Sequence, residues 1–483
     1  MPAELRHSDG TPFRDLNHNG TMEPYEDPRL PVEDRVEDLL GRMTLAEKAA
    51  LMCHGRMVTG PDPRIPIPMP TGAELITERG VTHFAMMAVP DARTMAEWNN
   101  HVQDLAAAGR LGIPVTLSSD PRHGFASNPA TAHAGGGFST GPEPIGLAAT
   151  DDPELVEEYA RLIGRELCAV GIRVAIHPMA DLATEPRWAR ISGTFGEDPQ
   201  RAARTIGAYI RGLQGASIGK GSVACMTKHF PSGGPQYRGE DSHFAAGRRL
   251  VYPGGAFEQH LTPFEAAFAA GTAQIMPTYA IPSGSGLAEV GANFNRDVIT
   301  GPLRERYGFD GVICTDFNAI TGTEIPGLTT FPPRNRGVEE LSVAEQVVLT
   351  LPAAKVRHRQ LVEVRASAAT VALHATVPDA QGITLLAVHP RAVGRGARIV
   401  DEAHWQGLPD GHTRATTTDP GDRGTRATGP ARGADTEPGG LVSLLTRARA
   451  AHVHVGTRPL ALYDQLTGTR PFTPAPIDPK DMR

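Results

Sequence analysis

Short apolar runs alternate with amphipathic segments between about residues 80 and 320. The segment that begins at Asp152 carries apolar side chains at a spacing of about 3.6 residues, which predicts a helix. Pro153 at its first position and Gly171 at its end mark the boundaries of this helix. The apolar run 172–176 follows directly and predicts a strand.

The same order recurs along the chain, which predicts a repeated strand and helix unit. Further helices are predicted over 199–213, 256–270 and 297–307, and further strands over 81–87, 113–119, 223–227, 273–276 and 312–315. Because parallel strands need long crossover connections, strands separated by helices favour a parallel sheet in an α/β fold.

Polar residues follow the predicted strands where each strand ends. They are Asp120, Asp181, Lys228, His229, Tyr279 and Asp316. In a (β/α)8 TIM-like barrel the active site is built at this face from several strand ends, so these side chains are predicted to meet. The alternative for any one of them is a polar residue that simply begins a loop.

The pattern changes near residue 352. Beyond it the chain is rich in Arg, Ala, Thr, Gly and Pro and has no clear period, which predicts a poorly ordered tail. The predicted organisation is therefore an N-terminal extension over 1–30, a barrel over 31–351, and an atypical tail over 352–483.

Composition narrows the choice of partners. In the 483 residues, 47 Lys and Arg stand against 54 Asp and Glu, so the net charge of −7 provides no basic field for nucleic acid. No apolar run approaches the roughly 18 residues of a membrane span, and the N-terminus does not resemble a signal peptide. We expect no membrane partner and a cytoplasmic location. The four cysteines are far apart and are predicted to be buried, reduced thiols.

A short N-terminal segment alternates oxygen-bearing side chains. These are Asp15, Asn17, Asn19, Glu23 and Glu26, with Gly20 at the sixth position, as in an EF-hand calcium loop. No helix clearly precedes Asp15, and Pro24 lies inside the loop. The segment therefore fits either a structural calcium site or an Asn/Gly-rich turn, and no cofactor is expected for catalysis.

Seven motifs in chain order resemble those of glycoside hydrolase family 3, on its β-glucosidase side. They are EDPRLPVEDRVEDLLGRMTLAEKAALM, SSDPRHG, EPRWAR, TFGEDP, KHFPSGG, IMPTY and GFDGVICTDF, spread over residues of roughly 13 to 350. The resemblance implies a TIM-like catalytic barrel that hydrolyses terminal β-glucosyl residues with retention. The implied substrate is a small β-glucoside or oligosaccharide, and the oligomeric state stays open.

The resemblance also implies roles for individual residues. Asp316 matches the nucleophile, which attacks the anomeric carbon and forms a glycosyl-enzyme. The residues implied to bind the sugar are Asp120 at remote hydroxyls, Arg187, Lys228 and His229 at the middle hydroxyls, and Tyr279 beside the nucleophile. Family members usually have Trp after the nucleophile, where this chain has Phe317.

The general acid is the open part of the predicted site. Most β-glucosidases of the family use a Glu from a sandwich domain after the barrel, whereas the β-N-acetylglucosaminidases use a His in an Asp-Ser/Thr-His motif. This chain reads Asp241-Ser242-His243 at the matching loop, so His243 is a candidate acid/base.

The resemblance ends after residue 351, where the family continues with a strand that closes the barrel and then the sandwich domain. The composition of the tail is typical of an out-of-frame reading of a GC-rich gene, and we hypothesise a frameshift near codon 352. The alternatives to an active β-glucosidase are therefore a catalytically silent sugar-binding remnant and a β-N-acetylglucosaminidase that uses His243.

Overall fold

The structure is a computed structural model. It describes residues 4–59, 66–67, 72–88, 91–124, 138–219, 221–325, 329–350 and 384–387. Apart from 384–387, the predicted tail over 352–483 lies outside the described residues.

Fifteen strands are present in these residues. They are β1 (Glu4–Ser8), β2 (Thr11–Asp15), β3 (Cys53–Thr59), β4 (Pro66–Ile67), β5 (His83–Ala88), β6 (Thr116–Ser119), β7 (Ile172–Ala175), β8 (Ala224–Phe230), β9 (Arg249–Val251), β10 (Gln274–Pro277), β11 (Ile281–Ser283), β12 (Val312–Cys314), β13 (Thr323–Ile325), β14 (Thr329–Phe331) and β15 (Thr384–Ala387).

Ten α-helices accompany them in the described part of the chain. They are α1 (Val32–Arg42), α2 (Leu45–Leu51), α3 (Gly72–Thr77), α4 (Ala92–Ala107), α5 (Pro144–Ala148), α6 (Pro153–Ala169), α7 (Pro199–Gln214), α8 (Phe257–Ala269), α9 (Arg296–Val298) and α10 (Val343–Thr350).

The main sheet is a curled, barrel-like α/β sheet. Strands β3, β5, β6, β7, β8, β10 and β12 pair in this order, and every one of these pairings is parallel. Strand β15 pairs antiparallel with β12 on one side and with β3 on the other. No closing strand of the barrel is predicted from the sequence. In the structure β15 lies between β12 and β3 and runs antiparallel to both.

Alternating residues of the strands pack on opposite faces of the sheet. Ala85 and Met226 belong to a buried cluster made almost entirely of strand residues. Their chain neighbours Phe84 and Cys225 belong to a larger cluster that includes the helices. This period of two follows from the pleat and explains why the parallel strands read as continuous apolar runs.

The ends of α6 and α7 agree with the sequence signals. The side chain of Asp152 accepts a hydrogen bond from the N–H of Leu155 at 3.0 Å, and Asp198 accepts one from Arg201 at 2.7 Å. These carboxylates satisfy backbone donors that have no partner within the helix. Gly171 follows α6, in a left-handed conformation that glycine adopts without strain.

Two predicted elements differ from the structure. The segment predicted as an α-helix over 297–307 is α9 followed by a π-helical stretch, Ile299–Arg306. Pro302 lies inside it and has no N–H to donate, which disfavours regular α-helical bonding. Strand β8 also extends past residue 227 through Lys228 and His229, because acidic partners allow these polar side chains to be buried.

The N-terminal residues form a smaller layer beside the sheet. Strands β1 and β2 pair as an antiparallel hairpin, and Asp15 is the last residue of β2. Among the described residues, a hairpin and not a helix therefore precedes the EF-hand-like loop. Tyr25, Leu39, Leu51 and other apolar residues form a separate buried cluster there. All four cysteines are free thiols; Cys53, Cys225 and Cys314 are buried as predicted, whereas Cys168 is only partly buried. None of the described helices is long and apolar enough to cross a bilayer.

Candidate active site

The polar residues predicted to meet lie at the C-terminal ends of neighbouring parallel strands. Asp120 follows β6, Tyr279 and Asp316 come two residues after β10 and β12, and Lys228 and His229 lie within β8. Their contacts join them into one cluster with Asp181 from the segment after β7.

Asp316 has one fixed and one free carboxylate oxygen. Its Oδ1 accepts hydrogen bonds from the Tyr279 hydroxyl and from the N–H of Phe317, both at 2.7 Å. Its Oδ2 is buried and has no hydrogen-bond partner among the described residues. Burial and the charge of Asp316 raise the pKa of Tyr279, so its hydroxyl stays protonated and can donate. The free oxygen is therefore available to a substrate.

His229 is oriented toward that free oxygen. Its Nδ1 lies 2.7 Å from Oδ2 of Asp181, whose other oxygen accepts the backbone N–H of His229 at 3.1 Å. With Nδ1 bound in this way, Nε2 lies 3.8 Å from Oδ2 of Asp316. Burial alone would raise the pKa of Asp181, but His229 and, more weakly, Arg190 lower it. Asp181 is thus an ionised carboxylate that holds the imidazole in place.

Asp120 and Lys228 form a close ion pair on the other side of the cluster. Nζ of Lys228 lies 2.5 Å from Oδ1 of Asp120, and Nδ1 of His177 lies 3.8 Å from the same oxygen. Burial would raise the pKa of Asp120, but Lys228 and His177 outweigh burial and hold the pKa well below its usual range. The Asp120 side chain is 22% exposed, so it can still reach a ligand.

The structure places His243 beside Tyr279. Nδ1 of His243 lies 2.6 Å from Oδ1 of Asp241, and the Trp188 indole N–H donates to Oδ2 of the same carboxylate at 2.7 Å. The His243 and Tyr279 rings pack edge to face with centroids 5.2 Å apart. Burial lowers the pKa of His243, and the hydrogen bond to Asp241 partly opposes this effect. The acid/base candidate His243 therefore packs directly against Tyr279, the residue that binds Asp316.

The side-chain contacts of Arg187 are with Glu185 and not with this cluster. Its guanidinium pairs with Glu185 at 2.8 Å, and its side chain is 68% exposed. Arg190, three residues later, lies against Met179 and the Trp188 ring instead, and its charge lowers the pKa values of the buried acids near it. The EPRWAR motif contains both arginines, so the sequence could have raised Arg190 as a candidate but could not choose between them.

Two further arginines at the site carry no signal in the sequence. Arg56 of β3 stacks on the Phe317 ring, with its Cζ 4.8 Å from the ring centroid, and donates to the Asn318 side chain. Arg334 lies in the segment before α10 and is 4% exposed. Neither arginine lies in a recognisable motif, and only the fold brings the two to the residues around Asp316.

The N-terminal loop is held together by its own hydrogen bonds. The Asp15 carboxylate accepts the N–H groups of Asn19 and Gly20 at 3.0 and 2.9 Å and pairs with Nε of Arg6 at 2.9 Å. Glu26 accepts the N–H of Leu16 at 2.7 Å. Across the described ranges no group of three or more acidic, His or Cys side chains is arranged to hold a metal ion. The guanidinium of Arg6 pairs with the Asp15 carboxylate, where a metal ion would otherwise bind.

Comparison with known proteins gives one family. The glycosyl hydrolase family 3 N-terminal domain matches residues 68–364. The probable β-glucosidase C of Aspergillus oryzae is 44% identical over 339 residues, which cover 69% of this chain and 53% of that protein. The periplasmic β-glucosidase/β-xylosidase of Dickeya chrysanthemi is 41% identical over 367 residues, covering 72% and 56%. The chain spans about half the length of these curated relatives.

Two solved structures share the fold of this chain. The family 3 β-N-acetylglucosaminidase from Paenibacillus sp. str. FPU-7 superposes with a TM-score of 0.56 at 23% identity, covering 84% of this chain and 69% of that one. The β-glucosidase from Listeria innocua, in complex with isofagomine, gives 0.51 at 22% identity, covering 72% and 46%. From the matched domain and these relatives, the chain belongs to glycosyl hydrolase family 3.

Proposed function

We propose that the chain is a retaining exo-acting β-glucosidase with Asp316 as its nucleophile. The observation that carries this proposal is the carboxylate of Asp316, which is fixed through Oδ1 while Oδ2 is buried and free of partners among the described residues. The names of the curated relatives support a small β-glucoside or oligosaccharide as substrate.

The proposed reaction has two steps. Oδ2 of Asp316 attacks the anomeric carbon, the bond to the leaving oxygen breaks, and that oxygen takes a proton from a general acid. Water then attacks the same carbon, gives its proton to the same group, and releases Asp316. Asp120 would accept hydrogen bonds from the sugar hydroxyls, and Lys228 and His229 would bind further hydroxyls, during both steps.

The proposed sugar site includes Arg190 and leaves out Arg187. Arg190 lies among the buried acids of the cluster, whereas Arg187 faces solvent. For the fold, we propose that the sheet is the (β/α)8 barrel of the family, with antiparallel β15 in place of its last parallel strand.

The test of the proposal is hydrolysis of an aryl β-glucoside. Asp316→Ala should lower kcat by about a thousandfold or more, because it removes the nucleophile and little packing. Added azide should restore turnover and give a product with inverted configuration. Asp310→Asn, at an exposed carboxylate just before β12, is the matched control. Retention of activity within about tenfold in Asp316→Ala would reject the assignment.

His243 is the proposed acid/base, and leaving groups of different quality test it. His243→Ala should strongly slow alkyl β-glucosides, whose poor leaving groups need protonation, and slow activated aryl β-glucosides far less. Equal losses on both substrates would instead indicate a binding or structural role for His243.

A structural calcium ion at the loop of Asp15, Asn17, Asn19 and Glu26 is a separate proposal. The alternating oxygen ligands support it, and the pairing of Asp15 with Arg6 opposes it. Calcium should raise the melting temperature relative to EDTA, and more so in Arg6→Ala, where the competing cation is gone. No calcium effect in either protein would leave the loop as an Asn/Gly-rich turn.

A further inference from the structure

One buried guanidinium contacts three segments around Asp316. Nε of Arg334 donates to the carbonyl oxygen of His243 at 3.1 Å, and Nη1 donates to the carbonyl oxygen of Phe317 at 3.0 Å. Its Cζ lies 5.0 Å from the centroid of the Tyr279 ring. The backbone N–H of Arg334 also donates to the carbonyl oxygen of Asn318 at 2.8 Å.

Each of these segments carries a residue of the proposed reaction. Phe317 follows the nucleophile, Tyr279 binds its Oδ1, and His243 is the acid/base candidate. The Phe317 carbonyl accepts from Arg334 and lies within hydrogen-bonding distance of the Tyr279 hydroxyl as well. Movement of the guanidinium would therefore move the turn after Asp316 and the hydroxyl that holds Asp316.

The contacts of Arg334 do not suit a purely stabilising role. Within the described part of the chain its side-chain hydrogen bonds go to neutral carbonyls, and the third contact is the face of an aromatic ring. Burying a cation without a carboxylate partner costs several kcal/mol. An apolar side chain of similar volume would avoid that cost but could not bridge the three segments.

We propose that Arg334 is a positioning residue for hydrolysis, which holds the Asp316–Phe317 turn, Tyr279 and the His243 loop in their reactive arrangement. This inference rests on the proposed function. Arg334 touches the residues around the nucleophile and acts through them, because a small displacement of reacting groups costs rate far more than binding.

Arg336 provides a matched control. It is 6% exposed, close to the 4% of Arg334, and donates to the carbonyl of Phe244 on the same loop at 2.9 Å. Within the described residues its side chain has no hydrogen bond or ring contact with Tyr279 or with the turn after Asp316, and only a longer-range charge interaction links it to Tyr279. Replacing either arginine by lysine keeps the charge and removes the planar fork that binds two acceptors at once.

The experiment compares Arg334→Lys with Arg336→Lys in the full chain. On an aryl β-glucoside, Arg334→Lys should lower kcat by about a hundredfold with KM changed little, whereas Arg336→Lys should stay within about threefold. Guanidinium ions, at concentrations that leave the wild type unaffected, should partly restore Arg334→Ala. Equal kcat values in the two lysine variants, or a loss in KM alone, would overturn the proposal.

Hydrogen exchange gives a readout that does not need activity. In Arg334→Lys the amides of residues 316–319 and 242–244 should exchange faster than in Arg336→Lys, with both melting temperatures similar. Unchanged exchange in both segments would overturn the positioning role. If the wild type itself hydrolyses no aryl β-glucoside, the proposed function fails, and the exchange comparison still decides whether Arg334 holds these segments.

Discussion

Two polar side chains near the end of β8 each have a carboxylate beside them. Lys228 pairs with Asp120 and His229 pairs with Asp181, so strand β8 can carry two polar residues in its buried length. Without these carboxylates the cost of burying the ammonium would exceed what a strand of this length gains from packing. The ion pairs thus serve the fold and also present charged groups to a sugar.

Asp120→Asn tests the binding half of this arrangement. It should lower kcat/KM by about ten- to a hundredfold, the equivalent of losing a charged hydrogen bond worth about 1.5 to 3 kcal/mol. Because the pKa of Asp120 lies well below its usual range, the wild-type carboxylate is ionised at both pH 5 and pH 7. The loss measured by steady-state kinetics should therefore be the same at both values.

Asp310→Asn is the control for this measurement, since it removes an exposed carboxylate before the N-terminal end of β12, whereas the cluster lies at the C-terminal ends of the strands. Unchanged kcat/KM in Asp120→Asn would show that Asp120 only ends β6. A loss that appeared at pH 7 and vanished at pH 5 would contradict the low pKa.

At the scale of elements, the glycines that follow α6 and α7 both have a positive φ but differ in their surroundings. Gly171 has φ of 80° and Gly215 has φ of 78°. A Cβ at Gly171 would lie 1.9 Å from Nδ2 of the buried Asn99, whereas at Gly215 its nearest neighbour would be an oxygen of Ser217 at 3.6 Å. Gly171 is therefore needed for the positive φ of the turn and also because a Cβ would collide with Asn99 of α4.

Alanine at the two positions separates these effects. Gly215→Ala should lower the free energy of unfolding by about 1 to 3 kcal/mol, because its backbone (φ 78°, ψ −167°) lies in a region that is essentially restricted to glycine. Gly171→Ala should cost about 2 kcal/mol more, because Asn99 must move in a close-packed region. Urea unfolding of both variants measures the difference, and equal losses would show that Asn99 moves away freely.

At the scale of the whole molecule, the first and last parallel strands, β3 and β12, are connected through β15, which is distant from both in sequence. Ile313 and Cys314 of β12 pair with Ala387 and Leu386 of β15, whose other edge pairs with β3. Asp316 comes two residues after β12. Asp316 therefore follows a strand whose edge is paired by β15, which begins at Thr384, 68 residues further along the chain.

A chain that stops after residue 350 tests this pairing against one that stops after residue 390 and keeps β15. The shorter chain should have a lower melting temperature and faster amide exchange at residues 53–54 and 312–314, because two strand edges lose their backbone partners. Its aryl β-glucosidase activity should fall with them. Equal melting and exchange in the two chains would mean that β15 does not hold the sheet together.

The sequence by itself determined the order of strands and helices, because periodicity and helix caps are local properties. The bounds of α6 and α7 follow from Asp152, Gly171 and Asp198. The parallel pairing and the C-terminal edge where Asp120 and Asp316 meet follow from the same order. The π-helical stretch was missed because the helical period continues through Pro302 even though its backbone bonding does not.

Only the tertiary structure decided which polar residues contact one another. Lys228 and Asp120 are 108 residues apart, and nothing local to either one encodes their pairing. The fold likewise selects Arg190 over Arg187 and brings Arg334 to the turn after Asp316. Side-chain partners are fixed by burial and by the geometry of distant segments, and a one-dimensional pattern contains neither.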